Sequence, residues 1–326
     1  MKVLKAVVVS ALLCLIPSLT YAQGKVKFPF AASSKTLGHS PLWAALKQGI
    51  FEQQGLEVQL ILVRGTPLSV QALAAGSVYI AGPTSDGVIE ATERGLDLVI
   101  VGGVVNGLTH AVVGGKKYKS YEDLRGATIG SLSLTSGITF ALRRVLKAKG
   151  LEYPRDYKLI NVGGSPELFA ALSAGQIAAA PLAFPINLAA EESGLNLIGW
   201  YREVLPNYQA IVLVVSRSWA EENRPLLVRF LKAMVLTNRW LYDHKEAAVD
   251  FLAKEMELKP AYARKGWEYY TENRLWPPDA DINLEGLKTV IQIYGEQTQI
   301  KGALPSAAKY VDQSYLREAL RELGAR

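Results

Sequence analysis

Short apolar runs alternate with segments of helical periodicity over the first two thirds of the chain. The runs at 58–63 (VQLILV) and 157–162 (YKLINV) are typical of buried strands, and a helical pattern follows each of them closely. From residue 224 onward the pattern becomes almost wholly helical. One helix there carries its apolar side chains on a single face: Leu227, Phe230, Leu231, Met234 and Leu241. This alternation, with its short connections, predicts parallel sheets covered by helices on both faces.

The chain repeats itself at an offset of 99 residues. Residues 60–98 align with 159–197 without a gap, and 15 of the 39 positions are identical. Two strand-to-helix turns correspond in the alignment, Gly65-Thr66-Pro67 and Gly164-Ser165-Pro166. Proline fits the first helical position, which places Thr66 and Ser165 at the predicted N-caps. A duplicated α/β unit predicts two similar lobes, and chance similarity between two βα units is the alternative.

The order of elements predicts how the chain is divided. Residues 23–107 would form the first lobe together with the returning segment 211–326, and residues 108–210 would form the second. The crossovers near 105–109 and 207–211 would then be the hinge. Helices are predicted in the tail at 245–257, 260–273, 283–298 and 312–323. We interpret the three tail tryptophans as core residues packed onto the first lobe: Trp240, Trp267 and Trp276.

The first 22 residues have the layout of a secretory signal peptide. Lys2 and Lys5 precede an apolar run of eleven residues, and Thr20 and Ala22 are the small residues expected before cleavage after Ala22. An uncleaved anchor is the alternative, but the run is shorter than the ~20 residues of a membrane span. We therefore expect residues 1–22 to direct export to the periplasm.

Composition narrows the chemistry. The single cysteine, Cys14, lies in the predicted signal peptide, so the exported chain would have none and could form no disulfide. Leu13 is not the small residue that a lipoprotein signal needs before its cysteine. Three scattered histidines leave little to hold zinc or iron, and we expect no metal and no cofactor. Loss of Lys2 and Lys5 lowers the formal charge from +6 to +4. Without a basic cluster, nucleic acid is not an expected partner.

Ligands of open α/β sheets bind beyond the carboxyl ends of the strands, so the predicted site is the cleft between the two lobes. The loops to consider are 31–40, 64–66 and 82–86 in the first lobe, and 131–137, 163–165 and 181–185 in the second. Most of these loops are rich in hydroxyl groups. The candidate ligand-binding residues are Ser34, Thr36, His39, Arg64, Thr84, Ser85, Asn106, Ser133, Thr135, Ser136, Phe184 and Tyr208.

Some of these residues suggest a type of ligand. Thr135 and Ser136 precede a predicted helix start, where free N–H groups favour an anion, with plain N-capping as the alternative. Arg64 could bind a carboxylate, sulfonate or phosphonate, or point to solvent. Phe184 and Tyr208 could form apolar walls. His39 has no partner at catalytic or metal-binding spacing, which favours a structural role.

Common catalytic motifs are absent from the sequence. It contains no G-x-x-x-x-G-K-[ST], G-x-G-x-x-G, G-x-S-x-G or H-E-x-x-H. With predicted export and two lobes, this favours binding over catalysis.

Several stretches resemble the periplasmic substrate-binding proteins of ABC importers, in the group for nitrate, sulfonates, taurine and pyrimidine precursors. These stretches are PLWAALKQGIFE at 41–52, GLEV at 55–58, VQALAAG at 70–76, DLRG at 123–126, VGGSPE at 162–167 and PNY at 206–208. The resemblance covers residues 25–220 and, loosely, the helical tail. It implies an α/β type II periplasmic binding protein, with two lobes, a hinge and a helical C-terminal segment.

The resemblance also implies a function. A monomeric receptor would capture a small anionic organic solute and deliver it to an ABC permease with its ATPase. A receptor or sensor of another transporter class and an exported enzyme are the alternatives. A pyrimidine synthase of this fold carries a cysteine-rich motif, which the exported chain would lack. Regulators that share the fold carry a DNA-binding helix-turn-helix where this chain has its predicted signal peptide.

Overall fold

The computed structural model describes residues 25–63, 65–300 and 302–324. The predicted signal peptide, with Cys14, and the candidate residue Arg64 lie outside the described residues. Within the described ranges, the strands form two five-stranded sheets.

Strands are numbered in chain order; the first sheet takes the first four strands and the returning strand β10, whereas the second takes five consecutive strands. The first sheet has the order β2-β1-β3-β10-β4, and the second has the order β7-β6-β8-β5-β9. The first sheet contains β1 Val26–Ala32, β2 Leu56–Leu62, β3 Ile80–Gly82, β4 Leu98–Val105 and β10 Ile211–Ser216. The second contains β5 His110–Gly114, β6 Thr128–Ser131, β7 Lys158–Asn161, β8 Ala179–Ala183 and β9 Asn196–Trp200.

The prediction of purely parallel sheets is wrong for one strand in each. β10 runs antiparallel to β3 and β4, and β5 runs antiparallel to β8 and β9. The connections explain this. The chain leaves β4 at its carboxyl end and enters the second sheet at the end where the parallel strands finish. β5 must therefore run the other way, and β10 does the same after the chain leaves β9.

The helices follow the predicted order, and the four tail helices are confirmed to within two residues at each end. The first lobe holds α1 Ser40–Lys47, α2 Ile50–Gln53, α3 Thr66–Ala74 and α4 Ser85–Glu93. The second holds α5 Gly137–Ala148, α6 Ser165–Ser173 and α7 Ile186–Glu192. The C-terminal segment holds α8 Arg217–Glu222, α9 Arg224–Asp243, α10 Lys245–Glu255, α11 Pro260–Glu272, α12 Leu284–Thr298 and α13 Ser314–Glu322.

The repeat is reproduced in three dimensions. α3 and α6 start and end 99 residues apart. The Thr66 Oγ1 atom accepts a hydrogen bond from the Thr84 N–H at 3.1 Å, and the Ser165 Oγ atom accepts one from the Ala183 N–H at 3.1 Å. The predicted N-caps are wrong by one residue, because Gly65 and Gly164 take that position. The two hydroxyls instead tie each helix start to the end of a neighbouring strand.

The largest core lies between the first sheet and the C-terminal helices. The Phe230 ring of α9 stacks on Phe28, Phe30 and Phe51, with centroid distances of 5.1, 5.7 and 5.2 Å. Trp276 is fully buried in the same core, and Trp240 and Trp267 pack against it. The interpretation of the tail tryptophans as core residues is thus confirmed. Among the described helices, none combines the length and apolarity needed to cross a membrane.

Candidate functional site

The loops at the carboxyl ends of the strands meet between the two lobes. Leu37 follows β1, Phe184 follows β8, and both lie beside Gly266 of α11: a Cβ placed there would be 2.7 Å from Leu37 and 3.4 Å from Phe184. A second meeting point joins the starts of α4 and α5. This is the region where the sequence places the cleft.

His39 organises the loop after β1. Its Nε2 atom lies 3.1 Å from the Gly82 carbonyl oxygen and 3.0 Å from Ser33 Oγ. Its Nδ1 atom lies 2.9 Å from Ser34 Oγ and 3.1 Å from Thr36 Oγ1. A carbonyl only accepts, so Nε2 donates to Gly82; when the ring is neutral, Nδ1 then accepts from a hydroxyl. His39 thus fixes the candidate hydroxyls of Ser34 and Thr36 against the end of β3.

Burial determines the charge of His39. The side chain is almost fully buried, and this burial lowers the pKa of His39 from 6.5 to about 4, against a smaller opposing effect of the Gly82 carbonyl. A neutral imidazole is thus the working form of this residue at neutral pH.

Thr84 and Ser85 lie side by side but differ in accessibility. Thr84 is exposed, and its hydroxyl lies 3.0 Å from that of Thr66. Ser85 is fully buried, its hydroxyl donates to the Gln209 carbonyl, and its N–H donates to the Ala210 carbonyl at 3.0 Å. Thr84 therefore keeps an accessible hydroxyl group, whereas Ser85 fastens the start of α4 to the second crossover.

The two crossovers are held together by amide side chains. Gln209 is fully buried; its Nε2 group donates to the carbonyls of Val105 and Ile211 at 3.1 Å each, and its Oε1 atom accepts from the Asn283 N–H at 2.8 Å. Asn106 donates from Nδ2 to the Asp281 carbonyl at 3.0 Å. Gln209 and Asn106 thus join the predicted hinge to the start of α12.

The loop before α5 is built as a helix start. Ser136 is the N-cap, and its Oγ atom accepts from the Thr139 N–H at 3.3 Å. Ser133 Oγ lies 3.2 Å from Thr135 Oγ1, and Thr135 is exposed. N-capping therefore accounts for Ser136, whereas the Thr135 hydroxyl stays accessible and Ser133 is half-buried.

An acidic side chain from the first lobe faces this helix start. A Cβ placed at Gly137 would lie 2.5 Å from Asp86 Oδ2 and 3.0 Å from Asp86 Cγ. Asp86 is in the first turn of α4, and its carboxylate also lies at the end of α5 that favours negative charge. Only glycine at 137 allows this approach.

The Phe184 ring is part of an aromatic stack. The Tyr269 ring of α11 lies between Phe184, with a centroid distance of 4.9 Å, and Trp200, with a distance of 5.1 Å. The Arg202 guanidinium covers the Tyr269 ring at 5.1 Å. We call the space between Phe184 and Trp200 the aromatic slot. Phe184 is only 7% exposed, so the predicted apolar wall would offer a solute no more than a small part of the ring.

Tyr208 lies beneath the cleft surface. It is 2% exposed and packs in the core between the lobes and α12. Burial raises the pKa of Tyr208 well above its usual value, and the nearby Asp86 carboxylate adds to this effect. The predicted contact of Tyr208 with a solute would therefore need a movement that uncovers it.

Five residues at the site were not among the candidates, and the sequence carries a signal for only two of them. Thr66 is marked by the repeat, and Asp86 by its position at a helix start. Trp200, Gln209 and Tyr269 carry no local signal, since each acts on residues remote in sequence. Within the described ranges, His, Asp and Glu side chains form no cluster suited to a metal ion.

Comparison with known proteins assigns the chain to a family. Residues 36–248 match the model of the family described as NMT1/THI5 like. The chain belongs to the NMT1/THI5-like family. The matched range includes both crossovers and every candidate residue except Ser34, whereas α11, α12 and α13 lie beyond it. Tyr269 is therefore contributed by a segment outside the part that defines the family.

The chain is similar in sequence or structure to several proteins that bind small solutes. The formylaminopyrimidine-binding protein of Halalkalibacterium halodurans is 26% identical over 221 residues, which span 66% of each chain. The alkanesulfonate-binding protein SsuA of Xanthomonas axonopodis pv. citri, bound to MOPS, has a TM-score of 0.70 at 19% identity, covering 89% of this chain and 99% of that one. The periplasmic nitrate-binding protein NrtA of Synechocystis PCC 6803 has a TM-score of 0.73 at 14% identity, covering 92% and 89%. The predicted fold, two α/β lobes with a helical C-terminal segment, is confirmed by these structures.

Proposed function

We propose that this protein is the solute-binding receptor of an ABC importer. The observation that carries the proposal is the meeting of two repeat-related α/β lobes at the carboxyl ends of their strands, with hydroxyl groups on both sides. The binding proteins that it resembles support the same function. The solute would bind between the exposed Thr36 and Thr84 of the first lobe and the half-buried Ser133 and exposed Thr135 of the second.

The proposed organisation follows the two sheets. Residues 23–107 and 211–326 would form one lobe, residues 108–210 the other, and a monomer would work in the periplasm after removal of residues 1–22. The permease and its ATPase would be the partners. The proposal includes no catalytic step, no cofactor and no nucleic acid.

A small organic anion is the first candidate solute. The start of α5 presents backbone N–H groups and a positive helix end, and Thr135 adds a hydroxyl at its rim. Arg64, predicted as a second anion contact, lies outside the described residues.

A solute without negative charge is the second candidate, and the position of Asp86 favours it. A carboxylate already faces the start of α5 from the opposite lobe. It would repel an anion and accept a hydrogen bond from an amino group. The name of the Halalkalibacterium relative points the same way, towards a nitrogen heterocycle.

The experiment measures binding of three probes to the purified protein: an alkanesulfonate, an aromatic carboxylate and an aminopyrimidine. Calorimetry with Asp86→Asn separates the two solute classes. Loss of the carboxylate should tighten an anion roughly tenfold and weaken an aminopyrimidine by a similar factor. Native mass spectrometry identifies any small molecule that copurifies. Conversion of a bound probe to product would contradict the receptor function.

A further inference from the structure

The two lobes differ at the ends of their sheets that face away from the cleft. The parallel strands begin there, and each lobe has a groove lined by the end of α3 or α6 and by residues that lead into the next strand. The groove of the first lobe has a volume of about 260 Å³, and that of the second about 640 Å³. We call the second one the back groove; Tyr118, Ala127, Leu172 and Ala178 are among its lining residues. Its size is usual for a small-molecule site, where volumes of ~300–1,000 Å³ are common.

Strand pairing shows which residues of the two grooves correspond. β10 pairs with β3 at Val214, β5 pairs with β8 at Val113, and the two partner residues are 99 positions apart in the chain. Each valine is followed five residues later by an aromatic residue, Trp219 in the first lobe and Tyr118 in the second. Both aromatic residues line the groove of their own lobe. Tyr118 is therefore the counterpart of Trp219.

An aromatic cluster fills the groove of the first lobe. The Trp219 ring stacks on Tyr79 with a centroid distance of 5.1 Å, and Phe28 meets Tyr79 edge-on at 5.6 Å. The positions 99 residues after Phe28 and Tyr79 both hold alanine, and the pairing of β1 with β3 and of β6 with β8 keeps the same offset. Of the three rings, the second lobe thus keeps only that of Tyr118. The two alanines explain the larger volume of the back groove and leave room for a ring beside Tyr118.

The two grooves also differ in charge. Asp97 lines the first groove, whereas the residue 99 positions later is Asn196, whose Nδ2 group donates to the Gly115 carbonyl at 2.9 Å. Among the described residues that line the back groove, the charged ones are Lys116 and Lys117, and both are exposed. Two ammonium groups without a carboxylate favour an anionic occupant.

We propose that the back groove is a second binding site, distinct from the cleft, and that it takes a small aromatic carboxylate. The ring would stack beside Tyr118, as Tyr79 stacks on Trp219 in the first lobe. The carboxylate would pair with Lys116 or Lys117. The carboxyl end of α6 also lines the groove, and its carbonyls suit a ring N–H better than a second negative charge. An indole that carries one carboxylate meets all three conditions. Such a site lies on a different surface from the proposed solute site, so it would exist whether or not the protein is a receptor.

The test is calorimetry of the purified protein with indoleacetate, and with cyclohexylacetate as the probe that lacks an aromatic ring. Indoleacetate should bind more tightly by roughly tenfold. Ala178→Tyr should abolish this binding, because it restores a ring that fills the first groove. Lys116→Gln/Lys117→Gln should weaken it by roughly three- to tenfold. Lys119→Gln is the matched control and should leave the affinity unchanged, since Lys119 is exposed but does not line the groove.

Each other outcome overturns the proposed site. Absence of indoleacetate binding does so directly. Binding that neither Ala178→Tyr nor the double lysine variant weakens would place the probe in the cleft instead. Binding of an acidic peptide that contains tryptophan, without binding of free indoleacetate, would assign the groove to a protein partner. The lysine variants should keep the wild-type melting temperature to within a few degrees, because these side chains are exposed, so weaker binding in the double variant would not reflect unfolding.

Discussion

The buried, neutral state of His39 makes a quantitative prediction about stability and pH. The pKa of His39 is lowered from 6.5 in the unfolded chain to about 4 in the folded protein. Between these values the unfolded chain binds a proton that the folded protein does not. The free energy of unfolding therefore rises with pH through this window, and His39 stabilises the fold fully only above pH 6.5. As pH falls from 6.5 to 4, that contribution is lost.

The size of the effect follows from the pKa difference. Each unit corresponds to about 1.4 kcal/mol, so a difference of about 2.5 units gives about 3 kcal/mol. The structural reason is that an imidazolium could no longer accept a hydrogen bond from Ser34 or Thr36 and would be charged in an almost fully buried position. Asp156 affects stability at lower pH than His39 does. Arg155 holds the pKa of the Asp156 carboxyl well below its usual range, so its contribution to stability is lost only under more acidic conditions.

The assay is urea unfolding at a series of pH values between 4 and 7, comparing the wild type with His39→Gln. The glutamine variant should be less stable at pH 7, because hydrogen bonds are lost, but its stability should fall by about 3 kcal/mol less on acidification. His244→Gln is the matched control, since His244 is exposed, and it should follow the wild-type curve. If the free energies of unfolding of the wild type and His39→Gln changed in parallel with pH, His39 would not be held neutral by its burial.

Four further predictions concern three contacts between the lobes and are checked by urea unfolding. Gly137→Ala should destabilise the protein by about 1–3 kcal/mol, because the new methyl group meets Asp86 at 2.5 Å, and Asp86→Ala should restore most of the loss; no rescue would place the clash elsewhere. Tyr269→Ala should cost about 3–5 kcal/mol by emptying the aromatic slot. Tyr269→Phe should be neutral or stabilising, since the Tyr269 hydroxyl is buried and has no hydrogen-bond partner among the described residues; a loss would reveal one. The Arg144–Glu296 pair, whose side chains are 22 and 57% exposed, should contribute about 1 kcal/mol or less in a double-mutant cycle and lose part of it in roughly 0.5 M salt.

The sequence predicted the parts of this molecule that depend on local order. Strand runs, strand-to-helix turns and the offset of 99 residues are properties of short stretches, and they lead directly to two lobes and to the loops at their strand ends. The shared hydrogen bonds of Thr66 and Ser165 show how closely the repeat is preserved. The direction of β5 and β10 was missed because it depends on the end of the sheet at which the chain crosses between lobes.

The candidate site was predicted less completely, because its key contacts join residues far apart in the chain. Tyr269 meets Phe184 across 85 positions, and Asp86 meets Gly137 across 51. No periodicity encodes such distances. One weak signal was present: Gly266 interrupts an otherwise good helix, and a glycine inside a helix often allows a close approach. Its position against Leu37 and Phe184 is such an approach.

These contacts change the role of the C-terminal segment. On one flank of the cleft, α11 places Tyr269 in the aromatic slot, and the Tyr262 hydroxyl donates to Glu192 of α7 at 2.5 Å. On the other flank, Glu296 of α12 accepts two hydrogen bonds from Arg144 of α5 at 3.0 and 2.5 Å. The segment therefore packs on the first sheet and also touches the second lobe on both sides of the cleft. Any movement that separates the lobes must either break these contacts or carry α11 and α12 along with the second lobe. The stacked ring of Tyr269 contributes more than the partly exposed ion pair, so the contact of α11 with the second lobe is the more costly of the two to break.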